Sequence, residues 1–131
     1  MGGGFVLMLA PTHRYTAASV NYGTAGKDVL SLDYLSGSCP IVGSYGDKDR
    51  RNRGTAQRLE RLPTDLGVDD DIKEYPDAGH SLLNDHNPAE APAVFVVLAK
   101  LSGSTFHEPS AADARRRITD FFDVHLKQVH P

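Results

Sequence analysis

The chain has 131 residues, 40% apolar and 24% charged, with a formal charge of −3 and a pI near 6.0. That is ordinary composition for one soluble globular domain, long enough to bury a core, and it argues against disorder. No apolar run reaches the roughly 18 residues of a membrane span, and no clustered basic face tracks a phosphate backbone, so neither membrane nor nucleic acid is an expected partner.

In chain order, the first element reads as a helix over Phe5 to Ala10, stopped by Pro11. Its continuous apolar run predicts burial on more than one side. Ala17 to Gly23 reads as a short strand closed by glycine. Lys27 to Leu35 predicts a helical turn or two with Val29, Leu30 and Leu32 inward. Pro40 to Tyr45 is short and uniformly apolar, like a parallel strand buried on both faces.

Thr55 to Leu66 carries Ala56, Leu59, Leu62 and Leu66 at helical spacing, with Gly67 as its C-terminal cap. Pro63 inside that pattern predicts a kink or an early stop. Asp71 to Tyr75 is a third strand, ended by Pro76. The segment from Ser81 to His107 permits helix or strand around Val94 to Leu98. A last helix follows Pro109, with Ser110 and Asp113 resembling a capping box and Ala114, Ile118, Phe121, Phe122 and Leu126 as its apolar face. Alternation of helix and strand means an α/β fold, a parallel sheet flanked by helices. Ligands in such sheets bind beyond the carboxyl ends of the strands.

Two residues lie where that rule points. Asp49 follows the second strand in Gly46-Asp47-Lys48-Asp49, and His80 follows the third in Tyr75-Pro76-Asp77-Ala78-Gly79-His80. A carboxylate bonded to a histidine fixes its tautomer and stabilises the imidazolium formed when the histidine takes a proton. Such a histidine serves a nucleophile as general base. Asp47, two residues earlier, competes for the same role, and the Gly-x-x-Asp spacing favours Asp49. In hydrolases of this class the chain order is nucleophile, acid, histidine. The nucleophile is therefore expected at or before the start of the chain, where Met1-Gly2-Gly3-Gly4 runs into the first helix like the end of a Gly-x-Ser-x-Gly or Gly-x-Cys-x-Gly elbow.

Other residues point less sharply. Cys39 precedes a strand instead of following one, and Ser81 sits on no elbow, so neither is expected to be the nucleophile. A single cysteine permits no intrachain disulfide and fits a reducing compartment. Residues Met1 to Pro11 lack a positive leading region and an Ala-x-Ala cleavage site, so a cytoplasmic location is expected. Gly23-Thr24-Ala25-Gly26-Lys27-Asp28 fails as a phosphate loop, with Asn21 at the first glycine position and Asp28 at the hydroxyl position. Asp85 and His86 beside His80 form a poor metal site. His107 and Glu108 are expected to pair locally, and His125 to suit a helix C-terminus. The basic runs Asp49-Arg50-Arg51-Asn52-Arg53 and Arg115-Arg116-Arg117 are expected as solvated faces.

Gly46-Asp47-Lys48-Asp49, the Tyr75 to His80 turn and Phe106 to Ala114 together resemble the dienelactone hydrolase family. The resemblance implies the C-terminal half of an α/β-hydrolase fold, a single partial domain over residues 1–131. It implies an ester or lactone hydrolase with a Cys or Ser nucleophile, acting on a small-molecule substrate without metal or organic cofactor. By that match Asp49 is the triad acid and His80 the base, and the backbone N–H of Met1 helps form the oxyanion hole. The nucleophile itself is expected just ahead of Met1, so the chain alone is expected to be inactive. The alternative is a non-catalytic remnant or interaction module of the same fold. In either case an exposed sheet edge, where absent strands would pair, permits self-association.

Overall fold

A computed structural model of the protein describes residues 2–84, 92–101 and 106–127. The apolar stretch Ile41–Gly46 (β2) forms the middle of a three-stranded parallel sheet, between Ala18–Asn21 (β1) and Asp70–Tyr75 (β3). Ala18 stands opposite Ile41, and Ile41 opposite Asp70, so the three carboxyl ends lie together. Every residue of β2 is buried, as a central strand covered on both faces requires.

Helices alternate with these strands: Gly2–Leu9 (α1), Leu32–Leu35 (α2), Thr55–Leu66 (α3), Ala93–Leu101 (α4) and Glu108–Lys127 (α5). The larger core cluster joins Leu7 and Ala10 to Val20, Leu35, Ile41, Tyr45 and Leu59. A smaller one brings Tyr75, Ala78 and Leu82 against Ala114 of α5. No described helix is long and apolar enough to cross a membrane.

The strands and α3 fall where the sequence placed them, and several finer expectations do not hold. Helix α1 begins at Gly2, and Pro11 lies within a 3₁₀ turn over Ala10–Thr12. Only Gly4 and Leu7 of α1 are buried, while Phe5, Met8 and Leu9 are exposed, so the apolar run is not buried all round. Leu32 also points outward, because the single turn of α2 turns Leu35 to the core instead. Pro63 does not stop α3, which continues to Leu66. A proline in the last turn removes one backbone donor, and the end is closed by Val68 N–H to Pro63 O (2.9 Å) and Gly67 N–H to Thr64 O (3.2 Å).

In the hard stretch before α5, the Val94 to Leu98 run is helical, within α4. Helix α5 starts at Glu108, so Ser110 lies inside its first turn and bonds His107 Nδ1 through Oγ (2.8 Å) instead of capping with Asp113. Its inner face uses Ala111, Ala114 and Phe121, whereas Leu126 is exposed.

Candidate functional site

Two loops leave the carboxyl end of the sheet, one after β2 and one after β3. They are laced together by backbone bonds, Asp47 N–H to Tyr75 O (3.0 Å) and Lys48 N–H to Ala78 O (3.1 Å). This approach depends on Gly46. A Cβ there would stand 2.4 Å from the Ala78 carbonyl oxygen and 2.6 Å from that of Gly79, closer than real atoms come. A tight turn then follows, Asp49 N–H to Gly46 O and Asn52 N–H to Asp49 O, before α3 begins.

That lacing brings together the two residues singled out from the sequence. Asp49 Oδ2 lies 2.7 Å from His80 Nδ1. Asp49 is fully buried, while the His80 side chain keeps 19% exposure. Asp47 is exposed on the same loop, so the contact belongs to Asp49. The carboxylate accepts from three donors in all: Arg51 N–H on Oδ1 (3.0 Å), and Asn52 Nδ2 (2.7 Å) together with His80 on Oδ2. An ionised carboxylate only accepts, so His80 Nδ1 donates and Nε2 is the basic nitrogen of the neutral ring. Tyr22, at the end of β1, sets its ring edge-on to His80 with centroids 5.2 Å apart.

The third side of the site is the turn after β1 and the start of α1. Gly3 and Gly23 meet backbone to backbone. A Cβ on Gly3 would stand 2.6 Å from Gly23 Cα and 2.9 Å from Asn21 O, and one on Gly4 would stand 2.3 Å from Thr24 O. Beside this contact Gly2, Gly3, Val6, Ser19, Asn21 and Tyr22 line a cavity of about 360 Å³. Tyr45, under the site, is wholly buried. Burial, with the Asp49 carboxylate adding to it, pushes its phenol far above the ordinary value, so it stays protonated. Its hydroxyl points at Gly23 O (3.4 Å).

Other sequence candidates are placed elsewhere. Cys39 is buried below β2, and burial raises its thiol, which disfavours the thiolate a nucleophile needs. His107 pairs with Ser110, as expected of a local partner, and His125 Nε2 lies 3.1 Å from Asp69 Oδ2. Met1, expected to supply an oxyanion donor, lies outside the described residues, as do Asp85 and His86. The run Arg50-Arg51-Asn52-Arg53 is not wholly solvated: its arginines are exposed but Asn52 keeps only 2% of its surface. Arg117 likewise is no free surface charge, since its guanidinium is held by Asp71 and the Tyr75 hydroxyl.

Comparison with known proteins gives the same frame. A solved structure from Klebsiella pneumoniae subsp. pneumoniae MGH 78578, provisionally named a dienelactone hydrolase, superposes with a TM-score of 0.63 at 21% identity. The match covers 92% of this chain and 48% of that one, so the chain spans about half the length of the structure it resembles. At that identity the likeness establishes the fold, an α/β-hydrolase sheet with its helices. Among curated proteins there is no match. The model of the dienelactone hydrolase family matches residues 1–126, nearly the whole chain, and the chain belongs to that family.

Proposed function

We propose that Asp49 and His80 are the acid and base of a Cys/Ser-His-Asp triad that hydrolyses a small carboxylic ester or lactone. The observation that carries this reading is the 2.7 Å contact between a fully buried carboxylate and a partly exposed imidazole, on loops leaving the carboxyl ends of adjacent parallel strands. The nucleophile served by His80 is a thiol or hydroxyl at the turn leading into α1, ahead of Met1 in the whole protein. Support for that position comes from Gly3 and Gly23, whose contact lets a strand-to-helix turn sit beside Tyr22 and His80.

The chemistry then balances on this chain's residues. His80 Nε2 takes the nucleophile's proton as its sulfur or oxygen bonds the substrate carbonyl carbon. The imidazolium, paired with Asp49, returns that proton to the departing alkoxide as the ester C–O bond breaks. Water attacks the acyl-enzyme by the same route, releasing a carboxylic acid and restoring the nucleophile. For a lactone the alcohol and the acid remain one molecule. The Met1 backbone N–H would contribute to the oxyanion hole.

The test is hydrolysis of short aryl esters by two forms of the protein. The 131-residue chain should show no turnover beyond background. A form extended at its N-terminus to include a Gly-x-Cys or Gly-x-Ser elbow should turn over, and His80→Ala should reduce kcat by roughly 10³-fold or more. Turnover of the extended form that survives His80→Ala sinks the triad reading. No turnover by either form favours the second reading, a non-catalytic member of the fold.

A further inference from the structure

Between Asp49 and the turn after β1 lies one buried amide that the triad reading leaves unused. Asn52 donates from Nδ2 to Asp49 Oδ2 (2.7 Å) and to Tyr22 O (2.9 Å), and accepts on Oδ1 from Thr24 Oγ1 (2.9 Å). Both of its side-chain donor hydrogens are engaged, so its orientation is fixed by its neighbours. The groups it joins belong to different loops. Asp49 is on the loop after β2, while Tyr22 and Thr24 flank Gly23, the residue that meets Gly3 at the start of α1. Tyr22 is held at φ 41°, in the left-handed region that a bulky residue seldom enters, and its carbonyl is the one Asn52 grips.

We propose that Asn52 is a positioning residue, setting the Asp49–His80 pair at a fixed distance and angle from the turn where the nucleophile belongs; this rests on the triad reading above. The Asn52 amide acts through Asp49 and Tyr22 and touches no reacting atom. By sharing Oδ2 with His80 it fixes which lone pair the imidazole uses. By holding the Tyr22 carbonyl it keeps the Tyr22 ring against His80 and Gly23 against Gly3. Neither isosteric replacement reproduces this. Leucine supplies no donor, leaving the Tyr22 carbonyl and the Thr24 hydroxyl without their partner. Aspartate puts a second carboxylate where the amide reaches Asp49 Oδ2.

The test reads His80 directly, by ¹H–¹⁵N resonances of its ring in the 131-residue chain, with no substrate present. The intact chain should hold the neutral ring as a single Nδ1–H tautomer whose proton exchanges slowly with water. In Asn52→Leu, with fold checked by backbone amide spectra, the tautomer should become mixed. Nδ1–H exchange should quicken by about tenfold or more, the effect of losing one hydrogen bond to a charged group. An unchanged tautomer and unchanged exchange in folded Asn52→Leu overturn the proposal. Should Asn52→Leu not fold, Asn52→Ala decides: it removes the same donors without adding bulk and should shift the same signals in the same direction, and no shift overturns the proposal. Because this readout needs no turnover, its failure is separate from a failure of the ester assay.

Discussion

The two edges of the sheet are built in opposite ways. Along β3, helix α5 is fastened by polar side chains. Arg117 donates to the Asp71 carboxylate and carbonyl and to the Tyr75 hydroxyl, and that hydroxyl donates to Asp113 Oδ2 (2.9 Å). Lys73 and Arg116 also hold Asp113. Along β1 there is no such lacing among the described residues. Helix α1 sits there by close backbone contact at its glycines and by Leu7 in the core, beside a cavity and with Phe5 and Met8 exposed. One edge is secured by charge and tolerates side-chain change by degrees. The other depends on the absence of side chains at Gly3, Gly4 and Gly23 and tolerates none at those positions. The candidate site lies across both, with His80 on the β3 side and the α1 turn on the β1 side.

The sharpest way to break this comparison is to add a methyl group on the β1 side. Gly23→Ala would put a Cβ 2.5 Å from Gly3 C and 2.8 Å from Gly3 O, both backbone atoms that cannot rotate away. The expected cost is about 3 kcal/mol, the upper range for overpacking, measured by urea denaturation. A loss under about 1 kcal/mol would mean that α1 can shift along β1, and that the contact is not what seats it.

Arg117→Met comes next. It keeps most of the apolar stem but removes the guanidinium, whose side chain is only 12% exposed. Losing hydrogen bonds to a carboxylate, a carbonyl and a phenol should cost about 2 kcal/mol. Should the loss equal that of Gly23→Ala, the graded character of the β3 edge is wrong.

The sequence made one side of this contrast legible and hid the other. The Met1 to Gly4 stretch reads as the end of an elbow because its glycine run is a local backbone signature, while Gly23 reads only as the close of a strand. Asp49 was separable from Asp47 by spacing from Gly46, because the turn after β2 is local. The β3–α5 network joins residues 38 to 46 positions apart, and no local pattern links Arg117 to Asp71; the arginine run reads as solvent-facing. Asn52 was hidden for the same reason, as a lone amide among arginines. Its one local signal was the three-residue spacing from Asp49, which a turn shares with many surface segments. Pro63 did not end its helix because it stands in the last turn, where few bonds remain to break.

Acid separates the edges further. Asp113 is held well below the usual carboxylate range, first by its hydrogen bond from Lys73, then by those from Arg116 and Tyr75. A depressed pKa means stability that is complete above the unfolded value, about 3.9, and is lost as pH falls through the folded one. Stability should therefore fall more steeply below about pH 4 in the native chain than in Asp113→Asn. Lys73 and Arg116 are substantially exposed, so the difference should be smaller than the loss in Arg117→Met and should shrink with added salt. Equal acid slopes would show that the Tyr75–Arg117 bond holds α5 without the charge on Asp113.

The smallest effect belongs at the far end of α5. Asp123 and Lys127 pair one turn apart at 2.8 Å, both largely exposed. Such a pair has its acidic member toward the helix N-terminus, the favourable order, yet gains only a few tenths of a kcal/mol because water screens it. Lys127→Ala should change unfolding free energy by less than about 0.5 kcal/mol, and salt should erase even that. The comparison depends on this being small. The β3 edge counts as secured by partly buried, multiply bonded charge at Arg117 and Asp113 only if an exposed charge on the same helix contributes almost nothing. A loss above about 1 kcal/mol in Lys127→Ala would instead make general charge on α5, not the Asp71–Arg117–Tyr75–Asp113 chain, the fastening of that edge.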